Sequence, residues 1–96
     1  MNKELILSAL SKAACDERLN AWHLAIFHAL VELGLRSGCL EGFCISRKKV
    51  MKLARIKAAP TYHKYISELN TMGYIQYMPS YHPQKGSLIK MLYAKG

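Results

Sequence analysis

The 96-residue sequence lacks the features of secreted and membrane-spanning proteins. Its apolar runs fall well short of the roughly 18 residues that are needed to span a bilayer. Residues 1–14 show no cleavable signal-peptide pattern, because Ser8, Ser11 and Lys12 interrupt the apolar stretch. Three cysteines are an odd and sparse set for a disulfide framework, which favours a reducing compartment. We therefore expect a cytoplasmic protein with no membrane partner.

The sequence also lacks the residue patterns of catalytic and metal sites. None of its glycines forms a phosphate-binding loop. Cys39 and Cys44 have no second pair of ligands that would complete a zinc site. We expect no enzyme, no metal and no cofactor. Because linkers, repeats and low-complexity segments are absent as well, the length fits a single domain over residues 1–96.

Acidic residues are nearly absent from the second half of the chain. Residues 47–96 contain ten lysines and arginines and one acid, Glu68, whereas residues 1–46 carry a net charge of −1. Seven of the ten cations fall within residues 47–64. A field of one sign concentrates polyanions at a surface. A basic face that only aids solubility would explain the cations but not the missing acids, so the charge favours a nucleic-acid partner.

Hydrophobic spacing predicts two helices in the first part of the chain. Residues 2–14 place leucine, isoleucine and alanine side chains on one helical face. Asp16 and Asn20 are candidate breaks or caps before the second helix, whose apolar stripe puts Trp22 in the core. Gly34 is the predicted end of this helix.

Two further helices are predicted close together in the middle of the chain. Residues 35–45 indicate a loop that ends in a short strand. Ser46 is the predicted N-cap of a helix that runs to about Ala54. After a short connection, Pro60 suits the first turn of the fourth helix, and Gly73 suits its left-handed C-terminal cap.

Steps of 100° along the fourth helix separate an apolar side from a polar side. Tyr62, Ile66 and Leu69 form the apolar side, which must face the core. The polar side must therefore face outward, and its members are Thr61, Lys64, Ser67, Glu68 and Thr71, with His63 at the edge.

The pattern changes from helical to strand-like after the fourth helix. Residues 74–78 and 88–93 are rich in aromatic and β-branched side chains. Residues 79–87 contain two prolines and a glycine, which indicates a long hairpin loop. The predicted fold class is mainly α with a small β-hairpin (α+β).

A helix, a turn, a second helix and a hairpin thus follow one another from residue 46 onward. Within the stretch 60–75, a leucine is followed by three residues, a glycine and an apolar pair. By this order and this motif, residues 19–93 resemble the winged helix-turn-helix superfamily of bacterial transcription regulators. The whole chain also looks like small regulators of this kind carried on mobile elements. The resemblance implies a winged-helix unit preceded by an N-terminal helix extension at residues 1–18.

The resemblance further implies sequence-specific binding of double-stranded DNA and transcriptional regulation. The helix at about 60–72 would enter the major groove, while the wing (79–87) and the helix start at 46–49 would contact the backbone. Cations at a helix start oppose the helix dipole, which favours an anionic partner there. The residues expected to contact DNA are Ser46, Arg47, Lys48, Lys49, Lys52, Lys57, Thr61, His63, Lys64, Ser67, Thr71 and Lys85.

The role of Glu68, the lone acid on the outward face, has two interpretations. It accepts a hydrogen bond from a cytosine amine, or it pairs with Lys64 one turn earlier, and the pair is favoured. All six tyrosines lie in the basic half. They would stack on the bases of RNA or single-stranded DNA, but packing in the core is expected for at least four of them.

Other functions share these features. The same surface suits an accessory factor of recombination or replication, and a winged helix can also serve as a protein-interaction module. The N-terminal helix either packs on its own domain or forms a dimer interface. Because one winged helix offers limited specific contact area, we expect a homodimer through this helix.

Overall fold

Four helices and three strands make up the computed structural model, which describes residues 3–79 and 86–92. The helices are α1 (Lys3–Cys15), α2 (Ala21–Ser37), α3 (Arg47–Ala54) and α4 (Ala59–Thr71), and the strands are β1 (Phe43–Ile45), β2 (Ile75–Met78) and β3 (Ser87–Met91). This confirms a mostly helical α+β fold. In the described part of the chain, no helix combines the length and the apolar character needed to cross a membrane.

The start of α2 is fixed by a reciprocal cap. The Asn20 side chain accepts hydrogen bonds from the backbone N–H groups of Trp22 (2.9 Å) and His23 (3.3 Å). In return, Nδ1 of His23 accepts the backbone N–H of Asn20 at 2.9 Å. This is a capping box in which histidine takes the place of the usual glutamate or glutamine. Of the two candidate positions Asp16 and Asn20, Asn20 is the N-cap of this helix.

The core-facing position in the first turn of α2 belongs to His23 and not to Trp22. Trp22 is 44% exposed, so its predicted place in the core is wrong. His23 is 3% exposed, and Ile26, Phe27 and Leu30 continue the buried side of the helix. Hydrophobic spacing missed this position because the buried residue is polar and its ring is fully hydrogen-bonded.

The end of α2 lies beyond the predicted stop at Gly34. The helix continues to Ser37 and ends at Gly38, whose φ of +82° is the left-handed conformation of a C-terminal cap. Gly34 is buried inside the helix and packs closely against Leu40 and Phe43. A Cβ atom at this position would overlap Leu40 and lie 3.0 Å from the ring of Phe43. The glycine allows close packing and does not terminate the helix.

The strands form one antiparallel sheet in the order β1-β3-β2. The predicted hairpin of β2 and β3 is present, and β1 adds a third strand along the other edge of β3, where Phe43 pairs with Ile89. Next to this edge, Gly86 passes so close to Ile45 that a Cβ atom would overlap the Ile45 carbonyl oxygen. The sequence predicted a sheet of only two strands. It missed the third because β1 pairs with a strand more than 40 residues away, and such a long-range pairing leaves no local pattern.

The N-terminal helix and the loop after it pack on the rest of the described chain. Ala9 and Ala13 of α1 are buried in the core. After α1, Oδ2 of Asp16 accepts hydrogen bonds from the Tyr74 hydroxyl and from Nη2 of Arg18, both at 2.7 Å. The loop is thereby joined to the residue that precedes β2.

Candidate nucleic-acid interface

Helix α4 has one buried and one polar side, as predicted. Tyr62, Ile66 and Leu69 are each at most 1% exposed and fix the helix against the core. The helix begins at Ala59, ends at Thr71 and is followed by Gly73 with φ +85°. The predicted contact residues of this helix share the opposite side, where His63, Lys64, Ser67 and Thr71 are exposed and Thr61 is half-buried.

Glu68 contacts His23 and does not form the expected pair with Lys64. Oε1 of Glu68 lies 2.7 Å from Nε2 of His23, whose side chain is 4% exposed. Because Nδ1 of this ring accepts the backbone N–H of Asn20, the hydrogen-bond pattern assigns the proton to Nε2, which donates to Glu68. The contact ties α4 to the start of α2. It also turns the single acid of the basic half toward α2.

Lys64 rests on an aromatic side chain of its own helix. Its Nζ lies 5.3 Å from the centroid of the Tyr65 ring, a distance at which a cation is attracted to the ring face. The rings of Tyr65 and His23 pack in a T-shaped arrangement with their centroids 4.7 Å apart, and the Tyr65 hydroxyl accepts a hydrogen bond from Asn20 Nδ2 at 3.4 Å. Tyr65 therefore supports the exposed cation and contacts the residues that anchor α4.

Both helices of the basic half begin without a side-chain cap. Ser46 occupies the N-cap position of α3, as predicted, but its hydroxyl makes no capping hydrogen bond. Ala58 at the start of α4 has no side chain that can make one. Arg47, Lys48 and Lys49 fill the first turn of α3 and are exposed. Free backbone donors, the positive end of the helix dipole and these cations together favour an anion.

A shallow cleft of about 650 Å³ separates α3 from the C-terminal end of α2. Lys49 and Lys52 line it from α3, Arg36 from α2 and Cys44 from β1. Of these three cations, Arg36 is bonded to Glu32 at 3.0 Å, whereas no ion pair of the described residues involves either lysine. The cleft therefore has a surplus of positive charge.

The positive charge at the start of α3 affects a buried tyrosine of α4. Burial raises the pKa of the Tyr62 hydroxyl, as does nearby Tyr77, while the positive charge of Arg47 opposes the rise. The Tyr77 hydroxyl is in turn 3.2 Å from Oγ of Ser87, at the start of β3. The charge of Arg47 thus acts on Tyr62, in the N-terminal half of α4.

The cations of the basic surface have no acidic partner in the part of the chain that the structure describes. We define this surface as the seven exposed cations of α3, α4 and the connection between them, namely Arg47, Lys48, Lys49, Lys52, Arg55, Lys57 and Lys64. None of them forms an ion pair with a carboxylate in residues 3–79 or 86–92. By contrast, Arg18 and Arg36 of the first half each bond an acid. The predicted contact at Lys85, in the wing, lies outside the described residues.

Comparison of the chain with known protein families, with characterised proteins and with solved structures finds no match. The fold defines the class of the protein only as a mostly helical α+β domain with a three-stranded antiparallel sheet. A function must therefore be argued from the residues and the geometry described above.

Proposed function

We propose that this chain is a bacterial, cytoplasmic winged helix-turn-helix protein that binds double-stranded DNA sequence-specifically and regulates transcription. The observation that carries the proposal is the basic surface, whose seven cations are all exposed and have no acidic partner among the described residues. Such charges gain most from a polyanion, because each phosphate that a cation neutralises releases a condensed counterion.

The order of the elements supports the winged-helix part of the proposal. α3 and α4 are joined by residues 55–58, and both helices pack against α2. The hairpin of β2 and β3 follows α4 almost at once, in the order that the resemblance implies. β1 lies on the far edge of β3 and directly precedes α3, which joins the sheet to the start of the basic surface.

In the proposed complex, α4 lies in the major groove and α3 lies on the phosphate backbone. A helix of 13 residues is about 20 Å long, so its N-terminal half measures about 10 Å and fits within the major groove, which is about 12 Å wide. Thr61, His63 and Lys64 lie in that half and would approach base edges. Ser67 and Thr71 lie further along the same side and would contact bases or backbone.

The tyrosines favour duplex DNA over single strands. Tyr62 and Tyr74 are buried, and Tyr65 and Tyr77 pack against the core. Four of the six tyrosines are therefore used in packing, as predicted, and do not offer a row of free rings on which unpaired bases could stack. The other two, Tyr81 and Tyr93, lie outside the described residues.

Fluorescence anisotropy with duplex DNA, duplex RNA and single-stranded DNA at several salt concentrations tests the proposal. We expect duplex DNA to bind most tightly, with log Kd rising by about 0.9 per neutralised phosphate for each tenfold increase in salt. Lys64→Ala and Arg47→Ala should each weaken binding and reduce that slope by about 1. The absence of duplex binding at low salt would overturn the proposal.

A matched control comes from β3. Lys90 is exposed and alternates with the buried residues Ile89 and Met91, so its side chain lies on the face of the strand opposite to the core. Lys90→Ala removes the same charge as Lys64→Ala, and we expect duplex affinity close to that of the unaltered chain. Equal losses in the two variants would mean that only net charge matters and that the basic surface is not the binding site.

The proposal includes a homodimer through α1. This helix uses Ala9 and Ala13 to pack on its own chain and leaves Leu7 65% exposed. Sedimentation equilibrium over a range of concentrations should give a dimer mass that Leu7→Glu converts to a monomer mass. A monomer mass at every concentration would contradict the dimer while leaving the test of DNA binding unaffected.

A further inference from the structure

A cavity of about 210 Å³ lies between α1 and the rest of the described chain, apart from the basic surface. Leu5 and Ala9 line it from α1, Phe27 from α2, and Met72 from the residues just after α4. Because Met72 follows the C-terminal end of α4, the cavity lies at the end of that helix opposite to its proposed groove-binding half. These four residues form an apolar part of its wall.

Two cations also line this cavity, and among the described residues only one of them has an acidic partner. Arg18 is bonded to Asp16 at 2.7 Å, and the same carboxylate accepts the hydroxyl of Tyr74, another lining residue. Lys12 lines the cavity from α1 and belongs to none of the ion pairs found in the described residues. Asp16 offsets one cation, so a net positive charge remains beside an apolar wall.

We propose that this cavity binds a small aliphatic monocarboxylate. The anionic end would pair with Lys12, and the hydrocarbon chain would lie against Leu5, Phe27 and Met72. The size is sufficient, since an apolar cavity of about 150 Å³ holds benzene, a ring of six carbons. A hydrocarbon without a charge would leave Lys12 unpaired, and an anion without a hydrocarbon chain would leave the apolar wall wet.

Such a ligand would contact α1 and the junction between α4 and β2 at the same time, because Gly73 and Tyr74 also line the cavity. It would therefore hold the N-terminal helix against the body of the protein and raise the stability of the folded chain by mass action. The proposal goes beyond DNA binding, and its test measures ligand binding to the protein without DNA. Its failure and the failure of the proposed function are therefore distinguishable.

Titration of the ¹⁵N-labelled full chain with acetate, butanoate, hexanoate and hexanol, followed by amide chemical shifts, tests the proposal. Hexanoate should shift the resonances of Ala9, Gly73 and Tyr74 saturably. Each methylene added along the acid series should tighten binding about fourfold. Hexanol should bind about tenfold more weakly than hexanoate, because it cannot form the charged contact.

Two variants and one control test the site itself. Lys12→Gln should weaken hexanoate binding about tenfold and leave hexanol binding unchanged. Ala9→Leu fills the cavity and should abolish binding of both compounds, with the dispersion of the other amide resonances reporting that the chain remains folded. Lys90→Gln should bind hexanoate like the unaltered chain. Equal affinity for hexanoate and hexanol, equal losses in Lys12→Gln and Lys90→Gln, or no saturable shift with hexanoate would each overturn the proposal.

Discussion

At the scale of single residues, His23 links the start of α2 to α4, the helix that we propose enters the major groove. Both of its ring nitrogens have partners, the backbone N–H of Asn20 and the carboxylate of Glu68. More generally, no buried side-chain nitrogen or oxygen in the described residues lacks a hydrogen-bond partner. A buried ring that is fully satisfied can orient two elements at little cost, but its removal leaves a cavity and an unpaired carboxylate.

We expect His23→Ala to lower the free energy of unfolding by about 2–4 kcal/mol, because it removes a buried side chain and two hydrogen bonds. It should also weaken duplex DNA binding, since Glu68 is then free to turn toward Lys64. Urea unfolding and anisotropy measure the two effects. Glu68→Gln is the control. It keeps an acceptor for His23, so stability should change by less than about 1 kcal/mol.

Asp16 gives the fold an acid-sensitive contact. The hydrogen bonds from Arg18 and from the Tyr74 hydroxyl hold the pKa of this carboxyl well below its ordinary value of 3.8. A group with a lowered pKa stabilises the fold above that ordinary value, and the contribution is lost as the pH falls toward the lowered value. Urea unfolding between about pH 5 and pH 2 should therefore show a smaller loss of stability for Asp16→Asn than for the unaltered chain.

Tyr74→Phe completes this test. It removes one of the two side-chain donors to Asp16 and leaves Arg18 in place. Its acid-induced loss of stability should lie between that of the unaltered chain and that of Asp16→Asn. Identical pH dependence in all three proteins would show that the contact does not contribute to folding.

At the scale of elements, local signals were enough to predict where most helices begin. Asn20 and Pro60 mark helix starts through hydrogen bonding and a fixed φ, and Gly73 marks an end through its positive φ. These effects depend only on neighbouring residues. Gly34 carried the same local signal as Gly73, but its role is set by tertiary contacts.

We expect Gly34→Ala to lower stability, although alanine is the better helix former. The gain in helix propensity is about 1 kcal/mol, whereas overfilling a packed core costs about 1–3 kcal/mol. Here the added methyl group would overlap Leu40 and press on Phe43. The net loss of about 1 kcal/mol should be visible in urea unfolding.

Two further variants separate packing from propensity. Leu40→Ala in the Gly34→Ala background removes the overlapping side chain, so the two substitutions should cost less together than the sum of their separate costs. Gly42→Ala places a methyl group in open space and should change stability by no more than about 0.5 kcal/mol. A stabilising Gly34→Ala would contradict the packing argument.

At the scale of the whole molecule, the two halves of the chain differ in charge, and the structure keeps this difference. The arginines of the first half pair with acids, whereas the exposed cations of the basic surface have no acidic partner among the described residues. Helical periodicity and the distribution of charge predicted which residues would be exposed. Every predicted contact residue within the described part is exposed except Thr61, which is half-buried. The sequence pattern could not predict that Glu68 pairs with His23, because the two residues are 45 positions apart and a nearer lysine was available. The cleft beside Arg36 was missed for the same reason, since α2 and α3 meet only through folding.

The cations at the start of α3 should favour DNA binding at the expense of stability. Lys48 and Lys49 lie in the first turn, where positive charge opposes the helix dipole and where no acid compensates. Replacing both with glutamine should raise the free energy of unfolding by about 0.5–1 kcal/mol. The same double variant should reduce the salt dependence of log Kd for duplex DNA by about 1.8.

Opposite signs of the two effects are what distinguish a binding surface from a solvated face. If these lysines only aided solubility, the double variant would gain stability with no change in the salt dependence. If they stabilised the fold, it would lose stability. Lys90→Gln, which removes a cation from a strand, should change neither quantity, because no helix dipole and no proposed DNA contact lie at that position. Urea unfolding and salt-dependent anisotropy on the same three proteins measure both effects.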